Sequence, residues 1–462
     1  MKTYPLTPAQ NMHYLWIKDY GTEQVSGLSI VSAPRVDVKF DILEKCIRET
    51  YKRNGCLRVQ FTAPDKRGNI EQYLVPVDTD MGPIELVDLS DMGWQEANYT
   101  MQNWAYETMD GDDIPMCIFK MVKLPGGYNG IFLHMDHRLM DSSGLYMLMG
   151  DLFGLYAHYA AGRPMPEEPA DFEKVLVKDL EKALNPKRAE KDRKFWIGQL
   201  DQLGEPLYSD IQGPGVLEES RKKFKDPELR AAEYEKENLF VAVKDYTLEA
   251  KPAERVVEFC RNSNISPTNL FLLTMRTYLS KVNNGQEDIT IENFVSRRST
   301  SDEWSSGGSR TITFPCRTVF KADMEFMDAL LQIQRLQNSS YMHSNYDPAL
   351  IREEMKKRYN TPDNTTYVSC YLTYQPLSQE ASGEGLMGVP FYFKWFANGA
   401  ATKKLYLTVS HTHSGEIDFS YHYQTAHLTE HDVELMYYYM MRIMFKGIEE
   451  PGLTLGEIMA AV

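Results

Sequence analysis

Residues 131–159 change their hydrophobic period partway along, and that change constrains the fold more than any other stretch. Ile131, Leu133, Met135 and His137 alternate with Phe132, His134 and Asp136, the period of two of a β-strand. From Leu145 the apolar residues fall at Leu145, Leu148, Leu152, Leu155 and Tyr159, one face of a helix. His137 and Asp141 therefore bracket a strand-to-helix turn. A histidine in such a place is held by regular structure while its ring faces a cavity, as a general base requires.

The chain has 462 residues, 43% of them apolar, enough for two domains with substantial cores. Its formal charge of −15 argues against nucleic acid and anionic membrane surfaces as partners. The six cysteines are scattered with no CxxC pair, which predicts reduced thiols in a cytoplasmic protein rather than a disulfide framework or zinc site. The N-terminal residues carry no apolar signal sequence, and the apolar run 144–161 is interrupted by Asp151 and His158, so no bilayer span is read.

Strands are expected at 28–38, 56–61 and 72–77, with a helix between the first two that Asp41 caps and Glu44 completes as a capping box. A helix over 98–106 precedes a β-hairpin, 114–123 and 128–137, whose second strand delivers His137. Pro164, Pro166 and Pro169 mark a linker, giving domains at 1–170 and 171–462. A charged helical surface over 187–194 leads into Phe195-Trp196. Beyond it, Ser266-Pro267 opens a helix, strands are expected at 289–295, 311–319 and 367–374, and a helix at 324–338. The chain closes with a hairpin, 405–411 and 416–423, and a helix that Thr429 caps. Residues 297–309 read as a polar, Gly/Ser-rich loop, with Ser305 to Ser309 as a mobile part of it. Strands and helices mix in both halves, which suits two α/β sandwiches.

HxxxD is a weak motif. With ten histidines and aspartate at about one residue in twenty, chance supplies it roughly once in every two such chains. The chain contains a second copy, His343-Ser-Asn-Tyr-Asp347, which no strand feeds. The His137 copy gains weight from its strand–turn–helix context. His411, His413, His422, His427 and His431 cluster in sequence, but surface or core positions explain them better than a metal site. Walker A and GxSxG patterns are absent, which removes nucleotide hydrolysis and serine-hydrolase chemistry as leading ideas.

Asp136-His137-Arg-Leu-Met-Asp141-Ser142 resembles the HHxxxDG signature of the condensation domains of nonribosomal peptide synthetases, relatives of chloramphenicol acetyltransferase. Leu6-Thr-Pro-Ala-Gln10, Leu57-Arg58 with Phe61, Phe195-Trp196 to Leu200, Asn283 to Asp288, Arg298, Thr313 to Arg317 and Thr373 to Gln375 resemble further family segments in the same order. The resemblance implies two chloramphenicol-acetyltransferase-like α/β lobes in a V with a central tunnel. It also implies a free-standing acyltransferase with no bound cofactor and no metal. The donor would be a phosphopantetheine thioester on a carrier protein supplied in trans, or a CoA thioester, and the acceptor a small amine or alcohol. Arg221 to Lys225 offers a basic surface for an acidic carrier, although a solvated loop is the plainer reading. His137 would be the base or orienting group, and Asp141 a structural residue paired with an arginine, Arg58 being the candidate. Asp136, Arg138, Ser142, Ser143 and Gly144 would line the site. Asp136 replaces the signature's first histidine and Ser142 its glycine, and Arg138 is a bulky charge beside His137. The alternative functions are an acyl-CoA-dependent O- or N-acetyltransferase and a non-catalytic carrier-binding module.

Overall fold

The computed structural model describes residues 2–109, 111–375, 388–412 and 414–462. The chain forms two compact α/β units. The first comprises Met1–Asn185, Ser296–Thr311 and the described part of Gln379–Ala400; the second comprises the remaining segments, beginning at Pro186.

The first unit is built on a five-stranded sheet, ordered Phe391–Phe396, Gly27–Pro34, Tyr128–Asp136, Cys117–Leu124 and Glu85–Asp88. Its pairs are antiparallel except the last, which is parallel. The alternation expected of the Tyr128–Asp136 strand is present. Ile131, Leu133 and Met135 enter one core with Leu145, Leu148, Leu152 and Leu155 of the helix Ser142–Ala161. Phe132 faces the other way, against Ala97, Met101 and Ala105 of the helix Trp94–Ala105. Helices thus cover both faces of the strand that leads to His137, which leaves its end little freedom to shift.

The second unit has a six-stranded sheet, ordered Thr311–Val319, Asp288–Ser296, Cys370–Gln375, Leu405–His411, Ile417–Gln424 and Val241–Leu248. The helices Pro267–Val282 and Glu430–Glu449 bury Leu270, Phe271, Met436 and Met440 against Leu372, Leu407 and Phe419 of that sheet. Among the described residues no helix is long and apolar enough to cross a membrane.

Several expectations need correction. The break at 170 falls short, because the helix Phe172–Ala183 buries Phe172, Leu176 and Leu180 in the first unit's core. That unit also takes back two later segments. The capping box at Asp41 does not form: the helix starts one residue earlier, at Phe40, and Glu44 pairs with Arg48 instead. The stretch 297–309 is not loop throughout. Thr300 and Glu303 form a capping box on a short helix, Ser301–Ser305, and residues 306–310 are buried. Arg221 to Phe224 are helical, at the end of Gly215–Phe224, where Lys223 pairs with Glu233.

Candidate active site

His137 stands one residue past the Tyr128–Asp136 strand, where its backbone N–H donates to the Ser26 carbonyl at 2.6 Å. The side chain is half-buried, and its Nδ1 is fully buried with no hydrogen-bond partner. Burial pushes the ring below the ordinary histidine value of 6.5, while the charges of Asp141 and Asp136 and the carbonyls of His137 and Met140 oppose the shift. His137 is therefore a neutral base around pH 7. With Nδ1 shut away, Nε2 is the nitrogen that could exchange a proton with a substrate.

Asp141 ends the turn and caps the next helix, its Oδ1 accepting from the Gly144 N–H at 3.0 Å. Its Oδ2 accepts from the Arg298 guanidinium at 2.6 Å, the N–H groups of Arg310 and Thr311 at 2.9 and 3.0 Å, and the Thr311 hydroxyl at 2.9 Å. Burial alone would raise this carboxyl, but the Arg298 charge and these donors outweigh it and bring it down to about 2. Asp141 stays ionised and ties the 296–311 segment to the His137 turn.

Arg298, not Arg58, is the partner of Asp141. Arg58 ends the 3-10 turn Gly55–Arg58 and donates to the Val75 carbonyl at 2.8 Å. It lines a cavity of about 650 Å³ with Lys52, Arg53, Phe172 and Glu173. The signal for Arg298 lay in the sequence: Arg297, Arg298 and Arg310 crowd a Gly/Ser-rich stretch, and all three are buried. Buried arginines demand carboxylates. Arg297 takes Asp179 at 2.8 Å and Arg298 takes Asp141.

The two departures flanking His137 answer one another. Asp136 accepts from the Arg138 backbone N–H at 2.7 Å and from its Nε and Nη2 at 2.9 and 2.8 Å. Arg138 also has Glu23 at 3.7 Å and lies over the Phe61 ring. A buried aspartate in place of histidine thus arrives with its own counter-ion. Ser142 and Ser143 open the helix, half-buried. The crowded position is Gly144, where an added Cβ would meet Met140 at 2.8 Å and Arg298 at 3.1 Å.

His13, which the sequence reading did not single out, packs against His137. It sits on the helix Pro8–Tyr20, which Thr7 and Gln10 cap reciprocally. Its ring stacks on that of His137 at 4.2 Å between centroids and 19° between planes. Ala9, Met12, His13 and Trp16 fall at helical spacing on the buried face, a pattern that by itself reads as ordinary core. The second HxxxD copy is structural, since His343 Nδ1 pairs with Asp192 and Asp347 caps a helix. The later histidines do not converge: His411 bonds Tyr374, His427 lies beside Glu235 and His431 beside Glu434, while His413 lies outside the described residues. Among the described residues no group of three or more His, Cys, Asp or Glu could hold a metal ion.

The family profile described as "Condensation domain" matches residues 1–461. A plipastatin synthase subunit of Bacillus subtilis (strain 168) is 19% identical over 458 residues, covering 99% of this chain and 17% of that protein. A surfactin synthase subunit of the same organism is 20% identical over 467 residues, covering 98% of this chain and 12% of that protein. The chain therefore spans less than a fifth of either relative. The first condensation domain of the calcium-dependent antibiotic synthetase, in complex with a substrate analogue, superposes with a TM-score of 0.79 at 14% identity, covering 99% of this chain and 98% of that one. A mutant starter condensation domain of rhizomide synthetase, in complex with C8-CoA, does so with a TM-score of 0.79 at 17% identity, covering 98% and 97%.

Proposed function

The chain belongs to the condensation-domain family, and from that premise we propose that it transfers an acyl group from a thioester to an amine or alcohol, with His137 as the proton acceptor. Condensation domains catalyse amide-bond formation in nonribosomal peptide synthesis and work with carrier-bound substrates. For this chain the donor is a phosphopantetheine thioester on a carrier protein. The acceptor nitrogen or oxygen attacks the thioester carbon, forming the new C–N or C–O bond as the C–S bond breaks. His137 Nε2 takes the acceptor's proton and returns it to the departing thiolate. Asp141 does not take part in that transfer; it holds the turn. No cofactor is needed beyond the thioester itself.

The observation that carries this reading is the state of His137: a ring that burial keeps neutral, just past the end of a strand packed on both faces, with Nδ1 closed off. Because C8-CoA is the ligand of the rhizomide synthetase starter domain, a CoA thioester is the second donor to test. The experiment measures thiol release from acyl-CoA and acyl-phosphopantetheine thioesters with amine and alcohol acceptors, for the wild type and H137A. Acceptor-dependent release that disappears in H137A supports the proposal, and the better donor separates carrier from CoA use. Equal release by both proteins rejects His137 as the base. No release from either, with carrier binding intact, leaves a non-catalytic carrier-binding module.

A further inference from the structure

A histidine that works as a base needs its ring plane fixed. The Cα–Cβ torsion settles into a staggered well, but the torsion that turns the ring is broad, so rotamer preference alone does not aim Nε2. The usual device is a hydrogen bond from Nδ1 to a carbonyl or carboxylate. The carbonyls of His137 and Met140 act on the His137 ring, but its Nδ1 is buried and makes no hydrogen bond of normal geometry. Asp141, the nearest motif carboxylate, has its oxygens engaged with Gly144, Arg298, Arg310 and Thr311. Packing against the ring face is left to fix the plane.

We propose that His13 is a positioning residue, holding the His137 ring face-on by stacking so that Nε2 keeps its direction. His13 is 3% exposed, and neither of its nitrogens has a hydrogen-bond partner. Burying two unpartnered polar atoms opposes folding, so a histidine there needs a reason beyond filling space. Its ring meets His137 on one side and stands edge-on to Trp16 at 5.0 Å and 79°. Trp16 lies one turn along the same helix and braces His13 in turn. Near-parallel rings direct their nitrogens along parallel planes, so no proton passes between them and the pair does not converge on a metal. The contact acts through shape and through exclusion of water.

Exclusion of water also bears on charge. The charged groups around the pair are Asp136 and Arg138 from the strand end and turn, Glu23 from the 3-10 turn Glu23–Ser26, Asp141 from the helix cap, and Arg298 from the 296–311 segment. Burial is the main influence that keeps both imidazoles neutral; the Arg138 charge adds to it at His13, and the Asp141 and Asp136 charges oppose it at His137.

The inference rests on the proposed role of His137, and its test separates the two. In H13F a ring remains in place; in H13A it is gone. Nuclear magnetic resonance titration of His137, assigned by its loss in H137A, reports the ring without any substrate. The wild type and H13F should titrate below pH 6.5, and H13A should move toward 6.5 as water enters. The His137 ring signals should shift in H13A and broaden as the ring gains freedom. Thiol release should fall about tenfold to a hundredfold in kcat for H13A, with a smaller change in KM, and H13F should restore most of it. Identical His137 titration in wild type and H13A, or an H13F variant as poor as H13A, overturns the proposal. If H137A leaves thiol release unchanged, the function fails while the titration still decides the stack.

Discussion

The chain holds two HxxxD stretches, one in each compact unit, and they differ less in their aspartates than in their histidines. Asp141 and Asp347 both cap helices, accepting from Gly144 and Ala349 at 3.0 and 2.9 Å. His343, however, ends a helix instead of a strand. Its Nδ1 pairs with Asp192 at 2.8 Å, its ring stacks on Phe195, and its carbonyl accepts from the Trp196 indole. That ring is committed to holding helices together. The His137 ring leaves one nitrogen unpartnered and stacks on a second imidazole. The same letters thus serve two purposes, and what separates them is where the ring nitrogens go.

Exchanging each histidine for alanine breaks the comparison most sharply. H137A should lower acyl transfer by a factor of about 10² to 10⁴, the usual worth of a positioned general base, with little loss of fold. H343A should keep the transfer rate per folded molecule, but should lower the urea midpoint because it strips a buried carboxylate of its partner. Rate assays paired with urea titrations would show the crossover. A rate loss in H343A matching that of H137A would contradict the assignment.

The aspartates come next. D141A leaves Arg298 buried without its carboxylate, and should cost about 3–5 kcal/mol, the range for breaking a buried pair. D347A removes a cap from a half-buried position and should cost about 0.5–2 kcal/mol. Equal losses in urea titration would mean that the Asp141 network adds nothing to its cap.

The sequence showed the architecture around the first stretch well, and the physical reason is local. Period two gives way to period 3.6 within residues 131–159, and short-range pattern decides both elements. What it hid was contact at long separation. Arg298 reaches Asp141 across 157 positions, and Phe391–Phe396 joins the first sheet beside Gly27–Pro34. Neither pairing leaves a mark in hydrophobic period. Arg58, the candidate partner taken from the resemblance, donates to the Val75 carbonyl instead. His13 was overlooked for a different reason. Its spacing with Met12 and Trp16 reads as ordinary core, and only the stacked geometry distinguishes it.

Acid should reach the first stretch ahead of its cap. His13 and His137 have folded-state values below 6.5, and burial is the main cause for both. The unfolded chain takes up protons near 6.5 that the folded chain refuses, so their contribution to stability is present above 6.5 and is lost as pH falls below it. The Asp141 carboxyl, held at about 2, adds a second loss between its ordinary value of 3.8 and about 2. The difference in urea midpoint between pH 7.5 and 5 should be smaller in H13F than in wild type, since the other histidines are common to both. Equal differences would mean that His13 does not resist protonation.

A last comparison, which includes the smallest expected single effect, tests which arginine answers Asp141. R298A removes the buried guanidinium that the carboxylate needs and should approach the cost of D141A, about 3–5 kcal/mol. R58A removes one donor to a backbone carbonyl at the edge of a cavity, together with a buried Nε that has no partner. The net loss should be about 0.5–1.5 kcal/mol. The double variants carry the sharper information. D141A combined with R298A should cost less than the sum of the two single changes, because each single variant already leaves the other charge stranded. D141A combined with R58A should be additive, since no contact joins those residues. Strong coupling to Arg58 in urea titrations would return it to the role that the sequence suggested.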